Sequence, residues 1–291
     1  MLNRKADIEK PKQKSGGRKV KAVKVAILLS AVLATSVCLN AADKTADKLK
    51  EKEKGSSKVA GSGSFGIFMN GKRVGTETFN ITETLNSEHL PSYSTASSEI
   101  KFDDGHFKAT QTAEMQVSAK GELRSYFWHA TVPQKEESSV EAKDQLLVEH
   151  ITPADQKKLD VPHMLPLSTI ILDDNFFSQR EVLLWWYLAN GCRRQDNALV
   201  CGTGKFVILV PRQHLSGNAT LELLGLEKVM VKGVERELNK IKLDMTGPQS
   251  LTWLNDQSRD SDSTQWVLWV DDQYRVIKMT VAGTNVEVVR D

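Results

Sequence analysis

The sequence lacks the short motifs that would assign it to a known catalytic or metal-binding class. Its 291 residues include three cysteines and six histidines, with no CxxC pair and no HExxH motif, which argues against a structural or catalytic zinc site. The spacing of a calcium-binding loop is also absent. Gly202–Lys205 resembles part of a phosphate loop, but that pattern requires glycine where Leu199 stands and Ser or Thr where Phe206 stands. The sequence therefore predicts no catalytic residue, metal ligand or cofactor.

Three pairs of adjacent aspartates also fail to form a catalytic pair. Neighbouring residues of a strand point to opposite faces, and each pair stands at a predicted turn or helix start, where Asp forms hydrogen bonds with the backbone. The pairs are Asp103-Asp104, Asp173-Asp174 and Asp271-Asp272. Catalytic groups can still converge from distant segments, so a hydrolase without a recognisable motif stays a lesser alternative. His129 and Asp174 are the residues whose replacement would test it.

Excess positive charge is absent from most of the chain. Residues 1–42 carry nine basic residues against two acidic ones, so the net charge of +2 for the whole chain becomes −5 for residues 43–291. A protein that binds nucleic acid needs a basic surface to neutralise phosphates. The acidic remainder argues against nucleic acid as a partner.

The basic N-terminus has the pattern of a secretory signal. A Lys/Arg-rich segment precedes the uncharged apolar run Val25–Val37, and small residues follow at Ala41-Ala42. As a helix the run would reach roughly 20 Å, short of the ~30 Å apolar core of a membrane. We expect residues 1–42 to be a signal peptide and the protein to be periplasmic or otherwise extracytoplasmic. An uncleaved inner-membrane anchor at residues 25–39 and a lipid-bearing Cys38 remain alternatives, although Cys38 lacks the residues of a bacterial lipobox.

Two cysteines remain after the signal segment, and we expect them to form a disulfide. Cys192 and Cys201 flank a polar segment with turn chemistry at residues 195–197. An even pair in an oxidising compartment is typical of a structural disulfide. A metal site would need further ligands, and no histidine lies nearby.

The rest of the chain predicts a tether followed by one antiparallel β domain. Residues 43–64 are rich in Lys and Glu and then in Gly and Ser, the composition of a solvated linker. From Phe65 onward, short alternating segments are separated by turns, with the hairpin signal Asn70-Gly71 near the start. Ile241, Leu243 and Met245 alternate with polar residues, as in a half-buried strand. We therefore expect residues 65–291 to form a curved sheet or half-barrel, with residues 256–263 as an exposed loop.

One segment lacks the alternating strand pattern and predicts the single helix of the domain, at about 175–189. Asp174 or Asn175 is the expected N-cap, and Gly191 is the expected stop. A helix so rich in apolar residues must be buried against or inside the sheet. Either it fills the core or its aromatic residues line an apolar ligand cavity. The candidates for such a cavity are the following apolar residues of the helix and strands: Trp128, Phe177, Leu184, Trp185, Trp186, Trp266 and Trp269.

Several segments resemble exported bacterial β domains of unknown function. These segments are NGKRVGTETF, GELRSYFW, ILDDNFFSQREVLLWWY, FVILVPRQ and VLWVDDQYRVIKMTVAG, and together they span most of residues 64–291. Those domains are similar in general architecture to lipoprotein-carrier half-barrels of the LolA/LolB type, which implies a sheet wrapped over a helix with an apolar concavity. The first hypothesis is a non-enzymatic protein that binds a lipid or another apolar ligand. The second is an assembly module that contacts other envelope proteins through sheet edges or the loop at 256–263.

Overall fold

The computed structural model describes residues 56–86, 88–105, 108–153, 157–173, 175–195, 198–247 and 263–291, and these residues are mainly β. The strands of the first half are β1 (Ser57–Met69), β2 (Lys72–Leu85), β3 (Pro91–Asp103), β4 (Lys108–Ser118), β5 (Leu123–Val132), β6 (Glu136–Lys143), β7 (Leu146–Thr152), β8 (Leu159–His163) and β9 (Ile170–Ile171). Helix α1 (Ser178–Gly191) follows. The strands of the second half are β10 (Cys192–Gln195), β11 (Ala198–Cys201), β12 (Gly204–Val210), β13 (Leu215–Val231), β14 (Val234–Thr246), β15 (Ser263–Val270), β16 (Val276–Val281) and β17 (Val286–Arg290).

Fifteen of these strands form one continuous curved sheet. Its order is β8-β7-β6-β5-β4-β3-β2-β1-β17-β16-β15-β14-β13-β12-β9, so the first and last strands, β1 and β17, pair in the middle. All pairings are antiparallel except that of β9 with β12. The predicted antiparallel curved sheet with one helix is confirmed. Strands β10 and β11 form a separate small hairpin.

The two ends of the sheet approach each other without pairing as strands. A single 3₁₀ turn, Pro211–Gln213, follows β12 and brings His214 to within 3.1 Å of the Glu149 carboxylate on β7. The backbone N–H of Leu123 donates to the carbonyl of Leu167 at 2.8 Å. We call this junction between the two sheet ends the seam. Side-chain and loop contacts there replace the hydrogen bonds that would join two edge strands, so the sheet is barrel-like but not fully closed.

Helix α1 lies in the interior, with its polar first turn more deeply buried than its aromatic middle. Ser178, Gln179, Arg180 and Glu181 are all buried, whereas Trp185 and Trp186 are partly exposed. The expected N-cap is wrong, because Phe177 occupies that position and makes no side-chain cap. Asp174 lies outside the described residues. The cap comes instead from Glu77 on β2, a residue that no local pattern connects to the helix.

The β13–β14 hairpin extends beyond the sheet and folds over its outer face. A β-bulge at Leu224, followed by Gly225 at φ 104°, separates the sheet portion from the distal portion. A bulge bends a strand and increases its twist. Distal residues Val229, Val231 and Leu238 then form a second apolar cluster with outer-face residues of other strands, including Trp269. We call residues 224–240 the flap.

One boundary differs from the sequence-based expectation, at the start of the β domain. Strand β1 begins at Ser57, so the last eight residues of the expected linker belong to this strand, and all of them except the bulged Ala60 pair with β2. Backbone pairing needs no apolar side chains, and Gly61 in this stretch packs against Trp185. The expected signal segment and residues 43–55 lie outside the described residues, as do residues 256–262 of the expected loop. No helix among the described residues has both the length and the apolarity to span a bilayer.

Candidate functional site

The seven expected cavity residues divide between two apolar clusters. Phe177, Leu184 and Trp266 are fully buried in the main core, where Trp128 is also buried. Trp185 and Trp186 pack against the same core while remaining partly exposed. Trp269 is not among them, because it lies on the outer face beneath the flap. The structure therefore brings six of the seven residues together.

Three successive aromatic residues of α1 each pack against a glycine of the surrounding sheet. An added Cβ on Gly61 would lie 2.8 Å from the Trp185 ring. On Gly204 it would lie 2.5 Å from the ring of Tyr187, and on Gly121 it would overlap the six-membered ring of Trp186. Such approaches are possible only where no side chain intervenes. The glycines thus allow the helix to fill the space enclosed by the sheet.

Little space remains next to Trp186. The cavity lined by this indole, Met115 and Ile171 has a volume of about 10 Å³. That is room for no more than one water molecule. An acyl chain entering at this point would have to displace side chains of the helix.

The buried start of α1 is held by a carboxylate from β2. The Glu77 carboxylate accepts hydrogen bonds from the backbone N–H of Phe177 at 2.8 Å and from the Ser178 hydroxyl at 2.6 Å. Burial raises the pKa of Glu77 to about 7, against the lowering effect of these bonds and of the Arg180 charge. Arg180 stacks on the Trp266 ring at 4.2 Å. The helix start is thus anchored by groups distant in sequence.

Two further buried polar contacts fix the orientation of the helix. Glu181 forms an ion pair with Arg290 of β17 at 2.7 Å, and burial raises the pKa of Glu181 although the arginine opposes this. The Tyr126 hydroxyl donates to the carboxylate of Asp173 at 2.7 Å, and Asp173 lies in the segment that leads to the helix. Because unpaired charges are costly in an apolar interior, these pairings favour one arrangement of α1.

A cluster of two histidines and a buried glutamate lies at the seam. The carboxylate of Glu149 contacts His163 at 3.0 Å and His214 at 3.1 Å, and it accepts a hydrogen bond from the Ser138 hydroxyl at 2.9 Å. A serine nucleophile needs a hydrogen bond to its base. The Ser138 hydroxyl is directed to the carboxylate instead, so these four residues form a structural bridge between the sheet ends. The described residues contain no group of three or more His, Cys, Asp or Glu side chains arranged for a metal ion.

The flap presents apolar side chains to solvent on the face opposite its packed side. Leu224, Leu226 and Met230 are 48%, 65% and 53% exposed, and we call these three residues the flap stripe. On the packed side, Glu227 accepts hydrogen bonds from the Trp269 indole at 2.7 Å and the Lys240 ammonium at 3.0 Å, which lowers the pKa of Glu227. These bonds hold the hairpin against the sheet, so the stripe faces away from it.

A cavity of about 580 Å³ lies beside the tip of the flap. Its lining combines apolar residues such as Phe68 and Val289 with polar ones such as Lys232, Asn285 and Glu287. The Lys232 ammonium lies 3.5 Å from the Asp291 carboxylate. The flap therefore adds both an apolar outer surface and a mixed cavity to the sheet. The sequence analysis did not predict the flap stripe or this cavity. The alternation of apolar and polar residues in β13 beyond the bulge is nevertheless visible in the sequence.

The expected disulfide is confirmed. Cys192 and Cys201 are bonded and face each other across the β10–β11 hairpin. Cys192 directly follows α1, and Cys201 precedes β12. The bond therefore connects the end of the buried helix to the sheet. Its position, together with the hydrogen bond from Gly202 to the Gly191 carbonyl, fixes where the helix ends.

Comparisons with known proteins give a structural likeness. No family model matches the chain, and no curated protein matches it. Among solved structures, the chain is similar to a β-barrel-like protein of the domain of unknown function DUF1849 from Brucella abortus. The two share 8% identity at a TM-score of 0.42, over 79% of this chain and 94% of that one. The resemblance to lipoprotein carriers stays a prediction.

Proposed function

We propose that the chain is an exported, non-enzymatic module that binds other envelope proteins through the flap stripe. The observation that carries this proposal is the pair of faces on one hairpin. One face packs on the sheet, and the other exposes Leu224, Leu226 and Met230. Burying a Leu or Met side chain contributes roughly 1.5–3 kcal/mol. Three such side chains on one face of the hairpin are suited to contact with an apolar patch on a partner.

The filled interior supports protein contact over lipid binding. Trp185, Trp186 and Tyr187 occupy the space above three glycines, and the polar first turn of α1 is anchored to the surrounding strands. A lipid carrier requires a concave apolar space that accommodates an acyl chain. A lipid could enter the sheet only with displacement of α1, which would disrupt those buried polar contacts.

Export is supported by the N-terminal pattern and by the disulfide. A basic segment followed by a short apolar run is typical of a secretory signal. Disulfides form and persist in oxidising compartments such as the periplasm. The Cys192–Cys201 bond is therefore consistent with an extracytoplasmic location, either released after cleavage or held at the inner membrane through residues 25–39.

Site-specific crosslinking in cells tests the protein-binding proposal. A photoreactive residue at position 226 should give discrete adducts with one or a few proteins, because this side chain is 65% exposed in the stripe. Leu90 is 56% exposed on the β2–β3 connection and provides the matched control position. A negative charge introduced into the stripe by Leu224→Glu should remove the adducts at position 226. Equal protein adducts at positions 226 and 90 would refute a specific role for the stripe.

The lipid-binding alternative has its own measurement. Native mass spectrometry of the purified protein should give the mass of the chain without a bound lipid if the interior is filled as described. A stoichiometric lipid that persists after gentle purification would instead support the lipid-binding hypothesis. Crosslinks from position 226 to lipid alone would also support lipid binding and would overturn the proposed protein contact.

A further inference from the structure

A second surface feature is a groove on the outer face of strands β2–β5, away from the flap. It has a volume of about 520 Å³ and is open to solvent. Its polar lining comes from outward-facing positions on three neighbouring strands: Thr78 and Asn80, Ser97 and Glu99, and Thr112 and Glu114. The register pairs Thr78 with Glu99, and Ser97 with Glu114. The groove is therefore an ordered array of hydroxyl, amide and carboxylate groups.

An exposed aromatic residue stands at one side of this array. Phe127 on β5 is 45% exposed and lies directly across from Glu114. The ring of His129, two residues further along the same face, is nearly parallel to that of Phe127, with an interplanar angle of 8° and centroids 6.5 Å apart. His129 itself is held by Glu137 at 3.4 Å. Phe127 therefore offers an exposed aromatic ring next to the polar groups, with the His129 ring stacked parallel to it.

This combination suits a sugar better than other ligand classes. The C–H faces of a pyranose ring pack against a flat aromatic surface, while its hydroxyls donate to carboxylates and exchange hydrogen bonds with hydroxyl and amide groups. The groove lining includes Glu99 and Glu114 and no Lys or Arg, although the Lys101 ammonium pairs with Glu99 at 3.1 Å. The negative charge that remains disfavours phosphate and other anions. A purely apolar ligand would leave the polar groups of the groove without replacement partners.

We propose that the outer face of β2–β5 is a binding site for a neutral oligosaccharide, with Phe127 as the stacking platform and Glu114 as a hydroxyl acceptor. The site is independent of the flap stripe, so a protein partner and a glycan can bind the chain at the same time. Such a module would connect a protein of the envelope to a saccharide polymer.

The test measures binding of two defined probes to the full chain, purified in a detergent without a sugar headgroup. Chitotetraose and cellotetraose are titrated by calorimetry, and contact with Phe127 is followed by saturation-transfer NMR. At least one probe should bind. Phe127→Ala should weaken that binding about tenfold or more, whereas Phe127→Tyr should retain it because the flat ring is kept. The exposed residue Leu90 provides the control variant Leu90→Ala, which should bind like the unmodified chain.

A second substitution separates stacking from hydrogen bonding. Glu114→Ala should also weaken binding, and Glu114→Gln should restore part of it because an acceptor oxygen remains. Glu114 on β4 and Phe127 on β5 are both exposed, and the buried neighbours on each strand are unchanged, so circular dichroism and melting temperature should match the unmodified chain. Absence of binding for both probes would overturn the proposal. So would binding that Phe127→Ala leaves unchanged in a variant that is folded.

Discussion

The packing of Trp186 on Gly121 gives the sharpest test of the filled interior. Gly121 lies in the turn between β4 and β5 at φ 78°, and an added Cβ would overlap the indole of Trp186. Gly121→Ala therefore imposes two penalties: a strained backbone and the displacement of a large side chain. Gly233 in the flap turn has φ 79° but nothing within 4 Å of an added Cβ, so Gly233→Ala imposes the first penalty alone.

The two penalties can be estimated separately. A left-handed conformation costs a non-glycine residue roughly 1–2 kcal/mol. Overpacking of a well-filled interior costs roughly 1–3 kcal/mol more. We expect Gly121→Ala to lower the free energy of unfolding by about 2–5 kcal/mol and Gly233→Ala by about 1–2 kcal/mol. The difference between them isolates the contact with Trp186.

Urea denaturation followed by circular dichroism measures both changes, and a double-mutant cycle assigns the contact. Trp186→Ala should be destabilising alone, yet Gly121→Ala added to it should cost no more than Gly233→Ala, because the clash has been removed. Equal destabilisation by Gly121→Ala and Gly233→Ala in the presence of Trp186 would refute the reasoning. It would mean that the Trp186 indole can move away from position 121 without a free-energy cost, and therefore that the interior is not tightly filled.

Two other predictions concern the anchors of α1. Burial raises the folded-state pKa of Glu77 from 4.5 to about 7, so its contribution to stability is fully present below pH 4.5 and lost as pH rises through 7. This group should therefore make the free energy of unfolding roughly 3 kcal/mol larger at pH 4.5 than at pH 8. Glu77→Gln should flatten the pH profile, and an unchanged slope in that variant would contradict the assignment. Reduction of Cys192–Cys201 should lower the free energy of unfolding by about 2–3 kcal/mol for a loop of this length, with a Cys192→Ser, Cys201→Ser variant insensitive to reductant as control. In cells, an exported Cys38→Ser variant should react with a thiol-alkylating reagent only after reduction, because its two remaining cysteines are bonded to each other. Alkylation of this variant without reduction would count against export.

The strands and turns were predictable because their signals are local. The alternation of Ile241, Leu243 and Met245 predicts a half-buried strand, and all three side chains are buried in β14. Asn70-Gly71 predicts a tight hairpin, and both residues have positive φ between β1 and β2. The apolar segment before Gly191 predicts one buried helix, which the structure confirms. In each case the determining interactions lie within a few residues of one another.

The anchoring of the helix was not predictable because its partners are distant in sequence. Glu77 and Ser178 are separated by 101 residues, and Glu181 and Arg290 by 109. Read locally, the segment Ser178–Glu181 is typical of an exposed first turn, although all four residues are buried. Its charges are compatible with the interior only once the sheet has curved far enough to bring β2 and β17 around the helix.

The glycines illustrate why aromatic composition alone could not decide between a cavity and a filled core. Gly61, Gly121 and Gly204 have the sequence context of a linker, a turn and a strand start, yet each lies against a different aromatic ring of α1. A larger residue at these positions would move the sheet away from the helix and leave space between them. Whether a buried aromatic residue lines a pocket or fills it therefore depends on the size of its partner across the interface. Here three successive aromatic residues of α1 each face a glycine, so the rings fill the space between helix and sheet. A filled interior favours function at the outer surfaces of the sheet.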